Sequence, residues 1–222
     1  MLYFGIVLII CMVGCLLKKY DHKYFLTISF IILFLMAAFR QPLLWGDLVG
    51  YERKHKILFS FSNFRELASK YLPDSKDIGY YIVEWFSTRM RIPFQIWLAI
   101  IAAFFLFITI RMIYRKSYYP LISILLFLAL GFYSFSMSGL RQTIAIAITV
   151  LAYEQLDKNN IIKFVVLTCI AFLFHRTAII FLILLALKNV RLGKYHIIIS
   201  VAGLLGFFVY KQQLRTFFNT YL

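Results

Sequence analysis

The chain has 222 residues, of which 63% are hydrophobic and only 15% are charged, and its formal net charge is +15. This small number of polar groups could not cover the surface of a soluble protein. The composition therefore excludes the ordinary soluble classes and indicates an integral membrane protein. The basic residues stand in short clusters between apolar runs, as loop charges of membrane proteins do, which argues against nucleic acid as a partner.

Eight apolar runs follow one another along the chain, and each predicts a membrane-spanning helix. They cover residues 2–17, 24–39, 94–110, 119–135, 142–153, 161–174, 177–187 and 197–210. The predicted fold is therefore all-α, a polytopic transmembrane bundle of about eight spans that forms one domain over residues 1–222. The first run lacks a preceding basic segment and a small-residue cleavage site, so it predicts an anchor helix and not a cleaved signal.

Loop charges predict the orientation of this bundle. The short connections 18–23, 111–116, 154–163 and 188–194 together hold eleven Lys and Arg residues, whereas the long loop 40–93 mixes nine basic with six acidic residues. The positive-inside rule assigns the short connections to the cytoplasm. The N-terminus, the long loop and the region of Arg141, His175 and Arg176 are then extracytoplasmic.

The run 177–187 is too short to cross a bilayer alone, since eleven residues make roughly 16 Å of helix against a hydrocarbon thickness of about 30 Å. Three interpretations are open: a locally thinned membrane, two short helices buried among others, or one long helix with His175 and Arg176 at its middle. We disfavour the last, because it would make the basic residues that follow external.

The loop 40–93 is too long for a passive connection and is expected to contain amphipathic helices. Asn63 followed by Glu66 is typical of a helix N-terminus. An apolar stripe at helical spacing follows, comprising Phe64, Leu67, Ala68 and Tyr71. We expect this helix to lie on the outer leaflet.

A second helix is predicted in the same loop, from Ile78 to about Met90, with Asp77 as its N-cap. Pro93 separates it from the next span. Within this helix Tyr80 and Glu84 share a face, since they are four residues apart.

A helix is predicted over residues 138–155. Arg141 is in its first turn, so its side chain starts about one turn below the outer edge of the membrane. A snorkelling arginine is the simple interpretation. However, small residues at Gly139, Thr143 and Ala147 predict tight packing around it. Arg141 then points into protein or an aqueous cavity, where a phosphate is the natural bidentate partner.

Other polar residues at the predicted outer side have two interpretations each. His175 and Arg176 either cap a turn between short helices or form part of a site. Arg40 alone is typical of an interfacial anchor, and Asp47 is typical of turn chemistry or of a general base. His22, His55 and His196 stand among lysines and are interpreted as solvated. No Cys and His spacing resembles a metal site, so neither metal nor cofactor is expected.

Four stretches together resemble the EpsG-like, Wzy-type polymerases of bacterial capsule, exopolysaccharide and O-antigen. They are Arg40 with Gly46, Asp47 and Tyr51; Asp77-Ile78-Gly79-Tyr80; Ser138-Gly139-Leu140-Arg141-Gln142; and Phe174-His175-Arg176-Thr177-Ala178. The order and spacing of these stretches carry the resemblance over most of the chain. Members of the family are generally longer, so the resemblance also implies a copy shortened at its C-terminus.

The resemblance implies a membrane glycosyltransferase of the bacterial cytoplasmic membrane that joins oligosaccharide repeat units carried on undecaprenyl diphosphate. Donor and acceptor are both lipid-linked, and a chain-length regulator and a flippase are the expected protein partners. Arg40, Arg141 and Arg176 are the candidates for binding the diphosphate. Asp47, His175 and Arg141 are the candidate catalytic residues, with Asp77, Glu84, Tyr80 and Gln142 as additional candidates.

Three alternatives stay open. A flippase for the same lipids would need charged or broken segments near the bilayer midplane and, ideally, inverted repeats, and the sequence shows neither. A membrane acyltransferase that modifies the glycan would use His175 as its base. The third alternative is an inactive fragment that serves only in assembly.

Overall fold

The computed structural model describes residues 2–17, 21–42, 46–73 and 77–188, together with residue 210. These residues form eleven α-helices and one 3₁₀ helix, and the described part of the chain contains no strand. The helices are α1 Leu2–Leu16, α2 His22–Ala38, α3 Leu48–Ser60, α4 Phe64–Lys70, α5 Ile78–Arg89, α6 Phe94–Lys116, α7 Pro120–Ala129, α8 Phe132–Ser136, α9 Leu140–Asp157, α10 Ile161–Phe174 and α11 Ile183–Leu187, with the 3₁₀ helix at Arg176–Leu182. The prediction of an all-α fold is confirmed.

The chain divides into two compact units, Met1–Leu182 and Ile183–Leu222. In the first unit, α9 packs along α10, α2 packs along α6, and α6 also contacts α9. Helix α5 contacts both α3 and α10. The described part of the second unit consists of α11 with the flanking Lys188 and the separate residue 210. That the whole of 1–222 forms one domain stays a prediction.

Two apolar cores stabilise the first unit. One lies among α1, α2, α6, α7 and α8, and its fully buried members include Leu33, Leu106 and Ile124. The other joins the helices of the predicted outer loop to α6, α9 and α10. Since α3 and α4 bury Leu58 and Leu67 completely, the described part of the loop packs into the fold.

Among the described residues, α6 is the single helix that is both long and apolar enough to cross a membrane. Shorter apolar helices occur at Gly5–Leu16, His22–Ala38, Pro120–Ala129, Ile161–Phe174 and Arg176–Leu187. One candidate span with several shorter apolar helices fits a membrane location. The number of eight spans stays a prediction, and the run 197–209 lies outside the described residues.

Two predicted spans differ from the observed helices. The run 119–135 breaks into α7 and α8 because Gly131 adopts a left-handed backbone with φ of +79°, a conformation that glycine adopts without steric cost. The run 177–187 is a 3₁₀ helix followed by the short α11. His175 is extended after α10, with φ of −158°, so the alternative of one long helix through His175 is wrong.

In the loop 40–93, the two predicted helices are confirmed as α4 and α5. Helix α3 was not predicted, and its buried face consists of Leu48, Tyr51, His55 and Leu58. The spacing of these residues is helical, but a histidine within the stripe and lysines on the other face concealed the pattern. His55 is only 4% exposed, so its interpretation as a solvated residue is wrong.

The cap of α4 yields a first prediction. Asn63 Oδ1 accepts a hydrogen bond from the Glu66 backbone N–H at 2.9 Å, which pairs a donor that the helix itself cannot satisfy. We expect Asn63→Ala to destabilise α4 by about 1 kcal/mol and Asn63→Ser to retain most of the stability. Amide hydrogen exchange at residues 64–70 measures this difference, and equal exchange in the two variants would contradict the role of the cap.

Candidate functional site

Arg141 lies in the first turn of α9 and contacts two residues of the loop 40–93. Its Nε donates to the phenol oxygen of Tyr51 at 3.0 Å, and its Nη1 donates to Asp77 Oδ2 at 2.5 Å. The guanidinium also lies over the Tyr51 ring, 5.7 Å from the ring centroid, an arrangement that is favourable for a cation. Arg141 is thereby fixed in position by two separate helices of the fold.

Asp77 is the carboxylate at the centre of this group. It immediately precedes α5, it is 4% exposed, and its side chain makes no cap hydrogen bond. Asp77 is thus the N-cap residue of α5 as predicted, but its carboxylate accepts from Arg141 and makes no capping hydrogen bond. His175 Nδ1 lies 3.7 Å from the same Asp77 Oδ2. We call Tyr51, Asp77, Arg141 and His175 the arginine cluster.

The close approach of α5 and α10 brings Asp77 to His175. Gly79, in the first turn of α5, faces Leu173 near the end of α10: a Cβ at Gly79 would lie 2.9 Å from Leu173 Cβ and 3.0 Å from its carbonyl oxygen. Only a residue without a side chain permits this contact. The two helix ends that carry Asp77 and His175 meet for this reason.

Tyr51 also connects the arginine cluster with a second buried polar group. Its ring packs edge-on against the ring of Tyr80, with 5.6 Å between the centroids. Burial raises the pKa of the Tyr51 phenol, and the hydrogen bond from Arg141 offsets part of that effect. The phenol is therefore neutral at physiological pH and acts as a hydrogen-bond acceptor for Arg141.

The second group consists of His55, Tyr80, Glu84 and Trp97. Tyr80 donates to Glu84 Oε1 at 3.3 Å and accepts from Trp97 Nε1 at 3.4 Å, and His55 Nδ1 lies 3.4 Å from Glu84 Oε1. This geometry confirms the prediction that Tyr80 and Glu84 share a face of α5. Burial raises the pKa of Glu84, and the neighbouring His55 offsets part of the shift. We call these residues the Glu84 group.

Arg40 is placed differently from Arg141. It is 5% exposed at the end of α2 and its Nη1 donates to the Ala37 carbonyl, while Nε and Nη2 are buried without a hydrogen-bond partner. A basic side chain at the C-terminus of a helix interacts favourably with the last carbonyls. Burial lowers the pKa of the Arg40 guanidinium to about 10, and the nearby phenols of Tyr133 and Tyr80 offset part of that shift.

The remaining candidates are near members of the arginine cluster in the sequence. Asp47 is exposed and immediately precedes α3, four residues before Tyr51. Arg176 is exposed at the start of the 3₁₀ helix, directly after His175, and Gln142 is half-buried next to Arg141. The structure thus joins Arg141, Asp77 and His175, and it places Glu84 and Tyr80 in the neighbouring group.

Tyr51 is the contact residue that the sequence analysis did not assign to the site. Two signals identify it: its position in the Arg40 to Tyr51 stretch, and its place in the buried stripe of α3. In the described ranges no three His, Cys, Asp or Glu side chains are grouped closely enough to hold a metal ion. In the arginine cluster a guanidinium and an imidazole converge beside one carboxylate.

Fold and site together define a protein of packed apolar helices with a cluster of ionisable side chains around Arg141. The EpsG family model matches residues 23–222. The chain therefore belongs to the EpsG family, which is linked to exopolysaccharide biosynthesis. Among curated proteins and among solved structures, nothing matches the chain.

Proposed function

We propose that this chain is a membrane glycosyltransferase that polymerises oligosaccharide repeat units linked to undecaprenyl diphosphate at the outer face of the bacterial cytoplasmic membrane. The observation that carries the proposal is the placement of Arg141. Tyr51 and Asp77 hold its Nε and Nη1, and the Arg141 side chain is still 30% exposed, so a ligand can reach it. Membership in the EpsG family supports the same assignment.

In the proposed reaction, a hydroxyl oxygen of the incoming repeat unit attacks the anomeric carbon of the growing chain. The bond from that carbon to the diphosphate oxygen breaks, and polyprenyl diphosphate leaves with the electron pair. The hydroxyl proton passes to a base. Because negative charge develops on the leaving oxygen, a fixed cation beside that oxygen lowers the barrier most.

Arg141, His175 and Arg176 are the proposed diphosphate ligands. The two oxygens of a phosphate fit the planar donors of a guanidinium, and His175 is next to Arg141 through their shared partner Asp77. Asp77 is proposed to position both Arg141 and His175. Arg40 was a further candidate for this role, and its burial favours a contribution to the packing around Tyr80 over direct contact with the diphosphate.

Asp47 is the proposed general base. It is exposed, so a lipid-linked acceptor can reach it, and it lies on the same side of α3 as Tyr51 because the two are four residues apart. Its distance along the helix from Tyr51 is about one turn, or roughly 5 Å. A base there is separated from the cationic side chains that bind the leaving group.

Deletion of the gene that encodes this chain, in the cells that normally produce it, tests the proposal. Loss of a polymerase leaves glycolipid with a single repeat unit at the outer face of the membrane. On a gel this single species replaces the ladder of chain lengths. Trapping of repeat units inside the cell would instead indicate a flippase, and a full ladder that lacks acyl groups would indicate an acyltransferase. Either result would overturn the proposed reaction.

The hydrogen bond between Arg141 and Tyr51 can be tested by substitution. Tyr51→Phe removes the oxygen that accepts from Arg141 Nε but keeps the ring beneath the guanidinium. A lost hydrogen bond to a charged group lets Arg141 move, and we expect polymerisation to slow about fivefold to tenfold. The rate of ladder formation in membranes measures it. Tyr153→Phe, at the far end of α9, serves as the control and is expected to leave the rate unchanged.

A further inference from the structure

A cavity of about 320 Å³ lies between α2 and α6, away from the arginine cluster. Its lining includes Lys23, Thr27 and Phe30 of α2 and Phe107, Arg111 and Tyr114 of α6. The volume is at the lower end of the range for ligand sites, roughly 300–1,000 Å³. We call this cavity the basic groove.

The basic groove is at the end of the helix pair where the positive-inside rule predicts the cytoplasm. Gln95, at the start of α6, donates to the carbonyls of Ala38 and Arg40 at the end of α2, so the two helices run antiparallel. Lys23 at the start of α2 and Arg111 near the end of α6 therefore lie together at the opposite end.

The groove changes from cationic to apolar along its length. From Lys23 to Phe30 is seven residues of helix, or roughly 10 Å, which is less than one leaflet of about 15 Å. The aromatic rings of Phe30 and Phe107 form the deeper walls. This order of groups matches a lipid whose charged headgroup is at the interface and whose acyl chain enters the bilayer.

Lys23 and Arg111 can each interact with an anionic ligand. Arg111 Nη2 binds Glu154, whereas its Nε is buried without a hydrogen-bond partner. The Lys23 side chain is 54% exposed and lies 3.6 Å from the exposed carboxylate of Asp21, and a solvent-exposed pair of this kind contributes little. A phosphate between Lys23 and Arg111 would lie beside two basic side chains that line the same groove.

We propose that the basic groove binds one anionic glycerophospholipid, with its phosphate between Lys23 and Arg111 and an acyl chain between Phe30 and Phe107. Basic pockets between membrane helices on the cytoplasmic side are suited to anionic headgroups. The proposal depends on the membrane location of the chain and not on the polymerase reaction, so either can fail without the other.

Native mass spectrometry of the full chain, released from detergent micelles with added phosphatidylglycerol or phosphatidylcholine of the same acyl chains, tests the proposal. Lys23→Gln removes one basic charge, and we expect about a fivefold loss of retained phosphatidylglycerol. Thr27→Trp fills the groove and is expected to abolish retention, with Thr27→Leu as the smaller substitute if Trp prevents folding. Arg111 is left intact because its loss would remove the nearer of the two arginines that pair with the buried Glu154.

Two matched controls complete the experiment. Lys163→Gln removes a charge at the same predicted end of the bundle but outside the groove, and Ile31→Trp enlarges an exposed position of α2. Both are expected to retain phosphatidylglycerol as the unchanged chain does. Equal retention of the two lipids by the unchanged chain would overturn the proposal. So would unchanged retention in Lys23→Gln, or an equal loss in the controls.

Discussion

Arg141→Lys is expected to reduce polymerisation at least about a hundredfold and to leave mainly single-repeat glycolipid, although the positive charge is kept. The guanidinium uses Nε for Tyr51 and Nη1 for Asp77, and in the proposed reaction it offers Nη2 to the diphosphate. A single ammonium cannot make these three contacts in one plane. Loss of one preorganised donor to a developing charge costs about 10²–10³ in rate.

The measurement is the chain-length distribution in cells that carry the variant as their only copy, with equal amounts of protein in the membrane. Arg65→Lys is the matched control, because Arg65 is an exposed arginine of α4 outside the arginine cluster. It should give a normal ladder. A normal ladder in Arg141→Lys would remove the main support for diphosphate binding by this side chain.

Gly79→Ala is expected to destabilise the fold by about 1–3 kcal/mol and to shorten the polymer. The added Cβ would meet the backbone of Leu173, including its carbonyl oxygen at 3.0 Å, and a backbone atom cannot rotate away as a side chain can. Helix α5 must then separate from α10. Asp77 and His175 are at the ends of these helices, so the arginine cluster separates as well.

Gly50→Ala provides the comparison. Gly50 lies in α3, where an added Cβ meets nothing within 4 Å, and alanine in a helix is favoured over glycine by about 0.5–1 kcal/mol. Thermal unfolding in detergent should therefore show a lower midpoint for Gly79→Ala and an equal or higher one for Gly50→Ala. Identical midpoints would show that the contact of Gly79 with Leu173 does not constrain the fold.

Local signals in the sequence predicted the individual helices well. Asn63 and Glu66 located α4, and Pro93 correctly separated α5 from α6. The break at Gly131 was missed, because the apolar run continues through the glycine and hydropathy alone does not register a left-handed residue. Helix boundaries were thus predictable where a cap or a proline marked them.

The contacts between helices were harder to predict from the sequence. The sequence placed Arg141, Asp77 and His175 at one end of the bundle, but it did not show that Asp77 is the carboxylate that Arg141 contacts, because this depends on the approach of α5 to α10. The burial of His55 was missed for a similar reason. Its partner Glu84 is 29 positions away in the sequence, and no local pattern relates the two.

Helix α5 carries Asp77 immediately before its start and Glu84 two turns later, and the two are on the same side because seven residues make almost two whole turns. Since a helix moves largely as a rigid rod, a displacement of α5 that adjusts one carboxylate also adjusts the other. Proton binding to the Glu84 group and the proposed anion binding at Arg141 would then be thermodynamically reciprocal. If protonation of the Glu84 group changes the affinity for the anion by some factor, anion binding changes the proton affinity of the Glu84 group by the same factor.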